Sequence, residues 1–167
     1  MPGDRPGAYS VSRFLQPVML RFELGEHTLK QSVEQIELPI FTLHLDDAEC
    51  RFDTADEIAD YLKQKIESHK SARYIATFDH LAHTASLPEG QVAEEIHAAI
   101  NLVFCFGFTL QDPSQLATRP RSIGICQSDN GFTISFVEAP MPVVNALMEE
   151  WTQSLSRTYD AAGERRA

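Results

Sequence analysis

Val18, Leu20, Phe22 and Leu24 alternate with Met19, Arg21 and Glu23, the period-two pattern of a half-buried strand. Gly25-Glu26-His27 predicts a turn after it, and the Ile-, Leu- and Phe-rich stretch Glu34 to Leu45 predicts a second strand. Pro39 has no amide to give to a ladder, so that strand is expected at a sheet edge or a bulge. Asp53-Thr54 opens a helix over 54–70. Thr54 with Glu57 has the spacing of a capping box, and Ile58, Leu62 and Ile66, with Tyr61, form one stripe at helical spacing. Lys63, Lys65, His69 and Lys70 gather at its end, where positive charge suits the carbonyl end of the dipole. A strand over Arg73–Asp79 follows.

Ser86, Pro88 and Glu89 announce a second helix, over 88–106, with Val92, Ile96, Ala99, Ile100 and Val103 as its stripe and Gly107 as its stop. Residues 102–106 also read as a buried strand, and helix is preferred because no turn residue separates them from Ile100. Asp112-Pro113 begins a helical turn ending near Ala117. Residues 122–127 and 132–138 then form a hairpin, closed at Asn130-Gly131 as a type I′ turn. A last helix spans about 141–157, with Val143, Leu147, Trp151 and Leu155 on one side. The element order predicts an α+β fold, a mostly antiparallel sheet with about three helices packed on one face.

The 167 residues suit a single domain. We expect a mobile leader over 1–16, the α+β domain over 17–158 and a frayed tail over 159–167; Met19 is an alternative start of translation. The net charge is −10, from 14 Lys and Arg against 24 Asp and Glu, and no basic stripe interrupts it. That disfavours nucleic acid and anionic membrane surfaces as partners. Cys50, Cys105 and Cys126 are odd in number and far apart, so no disulfide framework is implied and a cytoplasmic location is expected. Cys105, among Phe104, Phe106 and Phe108, reads as a buried small hydrophobe. Pro39 at an exposed edge, with Trp151 beside Met148, suggests a homodimer.

Two clusters are candidates for chemistry. A two-residue turn at Asn130-Gly131 sets Asp129 opposite Phe132, Ile125 opposite Phe136 and Ile123 opposite Glu138. Ile123, Ile125, Ile134 and Phe136 then share the core-facing side, and Arg121 stands at its end, diagonal to Glu138. Arg121 and Glu138 are expected within salt-bridge distance, because a buried unpaired charge is costly. With Arg119 across Pro120, the group is either an ion pair sealing the sheet end or a ligand-binding clamp for a carboxylate or phosphate. The second cluster is Asp79, His80 and His83. On a helical turn the two imidazoles share one face, where a metal or acid–base role is possible, with His97, Cys105 and Cys126 brought in through the fold. The alternative is satisfied structural histidines. No catalytic residue or cofactor is assigned. A binding or accessory domain for a small anion, on Arg119, Arg121 and Glu138, is favoured over a metal-dependent or acid–base enzyme on Asp79, His80 and His83.

The stretches FDHLAHT (78–84), FCFG (104–107), RPRSIG (119–124) and EAPMP (138–142) resemble the signatures of an uncharacterised bacterial family, a domain of unknown function. The resemblance spans roughly Ile36 to Trp151. It implies a stand-alone bacterial cytoplasmic domain, and it carries no catalytic residues across.

Overall fold

The computed structural model describes residues 21–24 and 27–159, with side chains over 31–159. The leader expected over 1–16, the strand positions Val18 to Leu20, the turn at Gly25-Glu26 and the tail beyond Tyr159 lie outside the described residues. The chain divides into two units, residues 1–37 and 38–167. In the first, β1 (Arg21–Leu24) pairs antiparallel with β2 (His27–Lys30), Leu24 facing His27.

The second unit is an α+β domain with β3 (Ile40–Leu45), α1 (Ala55–Ser68), β4 (Ala72–Asp79), α2 (His80–Ser86), β5 (Ile96–Phe106), β6 (Arg121–Ser128), β7 (Gly131–Val137) and α3 (Pro142–Gln153). Its five strands form one antiparallel sheet in the order β3-β7-β6-β5-β4. Pro39 precedes an edge strand, as its missing amide requires. The strand starts at Ile40 rather than Glu34, and the Pro39 carbonyl accepts from Glu138 N at 2.9 Å.

The Thr54 capping box forms on both sides, Glu57 N to Thr54 Oγ1 at 3.2 Å and Thr54 N to Glu57 Oε2 at 3.1 Å. Gln127 on β6 reinforces that end, its Oε1 accepting from Ala55 N at 3.1 Å. α1 buries Ile58, Leu62 and Ile66 against Ile100, Leu102 and Phe104 of β5 and Ile123 and Ile125 of β6. α3 adds Val144, Met148 and Trp151. Of the expected stripe Trp151 and Leu155 are buried and Leu147 packs partly against the core, whereas Val143 is 65 % exposed and Val144 and Met148 are buried instead. Trp151 and Met148 are core residues, which removes them as interface candidates.

The helix expected over 88–106 does not form. Residues 96–106 are β5, and Ile100, Leu102, Phe104 and Phe106 are buried at period two. The apparent helical stripe arose because the other side of β5 also carries apolar residues, Ala99 and Val103, so both periods fit the sequence. β-branched and aromatic side chains favour the pleated surface, and β5 gains two partners, β4 and β6.

The hairpin of β6 and β7 turns one residue earlier than expected. Ser128 faces Gly131, Gln127 faces Phe132 and Ile125 faces Ile134. Among the described residues no non-glycine φ is positive, while Gly131 has φ 95°. A type I′ turn needs positive φ at both central residues, so Asn130-Gly131 cannot supply one; a left-handed glycine following the turn fits instead. The pairing shifts by two residues. Since faces alternate with period two, Ile123, Ile125, Ile134 and Phe136 stay on the core side, all buried.

Candidate functional site

Arg121 continues that buried row of β6, opposite Phe104 of β5, and is 9 % exposed. Extending the hairpin register sets it level with Glu138 rather than diagonal to it. The expected salt bridge is absent. Arg121 Nη1 donates to the Glu138 backbone carbonyl at 3.3 Å, and the described residues hold no ion pair between the two side chains. Glu138 therefore meets Arg121 through its carbonyl, not its carboxylate. The joint that carries it is held by Asn145 of α3, whose Oδ1 accepts from Ala139 N at 2.6 Å and whose Nδ2 donates to Ala139 O at 2.9 Å.

Arg119 is joined to Pro120 by a cis peptide, and its Nη1 donates to the Thr109 carbonyl at 2.5 Å. That contact ties it to the loop ahead of the 3-10 turn Pro113–Thr118, which Asp112 caps at Ser114 N, 2.7 Å away. Burial, and then the like charge of Arg119, pull the Arg121 guanidinium below its ordinary value. It stays charged at neutral pH, because arginine titrates so high. The result is a cation on a largely buried residue, with a second cation beside it and, among the described residues, no carboxylate on either.

Three recesses adjoin these arginines, Arg119 lining all three and Arg121 two of them. A small one of about 30 Å³ is lined by Cys105, Phe106, Phe108, both arginines and the Ala139–Met141 turn with Val144. A cleft of about 510 Å³ is lined by Arg119, Cys105, Gly107, Ile75, Phe108, Leu110 and Leu116. A third, of about 230 Å³, lies by Leu38, Thr118, Ser122 and Val137. Cys105 is half-buried and lines two of them, so it is not the enclosed hydrophobe expected; Cys50 is, at 0 % exposed.

The histidine cluster lies elsewhere. Asp79 faces Ile100 on β5 whereas Arg121 faces Phe104, a separation of roughly 13 Å along that strand. His80 and His83 do share one helical turn, and both rings pack on Phe78, at 4.6 and 5.4 Å between centroids. Asp79 Oδ1 is engaged as the cap of α2, accepting from Ala82 N at 2.8 Å. Among the described residues no three His, Cys, Asp or Glu side chains converge as metal ligands, so His97, Cys105 and Cys126 do not complete a site there. His97 pairs instead with Asp129 at 2.5 Å on the surface.

Sequence reasoning found both arginines but missed the apolar wall. Its signal was present: Phe108, Leu110 and Leu116 are large apolar residues in a segment with no strand or helix period. The class defined by fold and site is an antiparallel α+β domain with two arginines, Arg119 and Arg121, beside an apolar cleft. A model for a family of unknown function (DUF6858) matches residues 29–157, and the chain belongs to that family. No curated protein and no solved structure matches the chain. Among the described residues no helix is long and apolar enough to cross a membrane.

Proposed function

We propose that the domain is a binding module for a small anion, a carboxylate or phosphate, held by Arg119 and Arg121. The observation that carries this reading is Arg121, a residue nine-tenths buried whose guanidinium has a backbone carbonyl as its hydrogen-bond partner and, among the described residues, no carboxylate on it. Burying an unneutralised charge costs stability, and in a chain of net charge −10 acidic side chains were plentiful to offset it. A planar guanidinium fork offers paired donors matched to a carboxylate or phosphate edge. An incoming anion would also relieve the repulsion between the two cations. The Glu138 carbonyl and the Asn145 clasp orient the receptor.

Calorimetric titration of the full chain with inorganic phosphate and with acetate tests this. Wild type should bind at least one of them with a millimolar or tighter Kd, weakening as chloride is raised. Arg119→Ala should weaken that binding and Arg121→Met should abolish it with the fold intact. Binding that survives Arg121→Met, or wild type that takes up neither anion, overturns the proposal.

A further inference from the structure

We infer that the occupant is an amphipathic carboxylate, with an unbranched aliphatic tail lying in the cleft beside Arg119 and its head group on the two arginines; this rests on the anion-binding reading above. A separate observation carries it. The wall of the 510 Å³ cleft presents large apolar side chains that the fold leaves open to solvent: Ile75 at 51 %, Phe108 at 44 %, Leu110 at 64 % and Leu116 at 59 %. Among the described residues no acidic residue lines the cleft, although the chain carries 24 of them, and the one charged lining residue is Arg119. Lined by apolar side chains and one cation, the cleft is complementary to a molecule with an apolar tail and an anionic head, and it shares Cys105, Phe106, Phe108 and Arg119 with the small recess that Arg121 also lines. Its volume is within the range of about 300–1,000 Å³ typical of small-molecule sites.

The wall is also braced. Phe108 stacks on Phe106 at 6.0 Å, and Phe106 stacks on Trp151 of α3 at 5.9 Å. The exposed ring thus stands on a core aromatic column rather than on a free loop, a firm surface for a tail. The same column couples the cleft to the chain's single tryptophan, which makes it an optical reporter.

The test is a chain-length series, acetate, butanoate, hexanoate and octanoate, titrated into the full chain by calorimetry and by Trp151 fluorescence, with octan-1-ol and inorganic phosphate as controls. Affinity should rise about fourfold for each methylene that leaves water, until the cleft is full. A Cβ on Gly107 meets no heavy atom within 4 Å, so Gly107→Leu fits the fold while its side chain occupies part of the cleft. It should flatten the chain-length gain and leave phosphate binding unchanged. Leu116→Asp should do the same by placing a negative charge beside the tail. Phosphate and acetate that bind as well as octanoate would overturn this inference and leave the anion reading standing. Octanol that binds as well as octanoate, with Arg121→Met without effect on either, would overturn both. A wild-type dimer that Leu116→Asp converts to a monomer would mean that a second copy covers the cleft, and the assignment would fall.

Discussion

The Arg121→Met substitution takes a charge out of a place that the fold encloses without neutralising. Methionine keeps a flexible, apolar side chain of similar reach at a position paired with Phe104 of β5 and lining the small recess with Phe106. Arg121 is 9 % exposed as a residue, and among the described residues its guanidinium bonds to the Glu138 carbonyl alone, at 3.3 Å, longer than the usual N–H···O distance of about 2.9–3.0 Å. Losing such a bond costs about 0.5–1.5 kcal/mol. Removing the buried charge returns more than that. Apolar replacement of even a paired buried ion is often neutral or stabilising by about 1–4 kcal/mol, and here no pairing offsets the desolvation. The Arg119 charge beside it adds repulsion that the substitution also removes. The ligand-free variant should therefore be more stable by about 1–3 kcal/mol, which raises Tm by roughly 2–4 °C per kcal/mol for a domain of this size. The assay is urea unfolding followed by Trp151 fluorescence and far-UV circular dichroism, with the midpoint moving up at constant slope. A variant less stable than wild type by more than about 1 kcal/mol at unchanged slope would make the guanidinium a structural strut. The argument that its charge awaits an anion would then fail.

At the other end of the same hairpin, Gly131→Ala should destabilise strongly. With φ at 95°, an added Cβ would also lie 2.4 Å from the Leu45 carbonyl oxygen and 2.8 Å from Asp46 Cα. The dihedral alone costs about 1–3 kcal/mol, and the clash with β3 adds to it. Gly131→Asn, which tolerates a left-handed backbone, should not rescue thermal stability, because the clash is with backbone; full rescue would refute the close approach. A pH dependence follows from Cys50, which burial holds above its ordinary 9.0. The folded chain keeps that thiol protonated where the unfolded chain ionises, so its contribution is complete below pH 9 and lost as pH rises through the folded value. Wild type should lose stability relative to Cys50→Ala on going from below to above pH 9, and parallel unfolding midpoints across that range would refute it.

What the chain made legible was local. The capping box at Thr54 and Glu57, the α1 stripe and the edge position after Pro39 each depend on residues a few positions apart, and each stands in the structure. β5 was not legible, because Ile96, Ala99, Ile100 and Val103 on one reading and Ile100, Leu102, Phe104 and Phe106 on the other are both apolar rows. The choice between them was made by β4 and β6, which lie 20 or so residues away in sequence and leave no mark on the run itself. The misread strand also concealed the cleft. Its lining joins Ile75 of β4, the end of β5 at Cys105–Gly107 and the segment that follows, a set that exists only once β5 is extended between its neighbours.

The arginine site shows how far a register argument reaches. The turn was misplaced by one residue and the pairing therefore by two, yet Arg121 fell on the correct, buried side of β6. An even slip conserves the face because side chains alternate with period two, whereas a slip of one would have sent Arg121 to the other face. Identity of the partner has no such protection. Glu138 was expected diagonally across from Arg121 and is level with it, and at that position the nearer acceptor is the backbone carbonyl. The carboxylate that would have sealed the charge is thereby left off it. Parity, the part of the reading that resists error, locates the buried cation; absolute register, the part that does not, decides whether that cation is satisfied by the chain or left for a ligand.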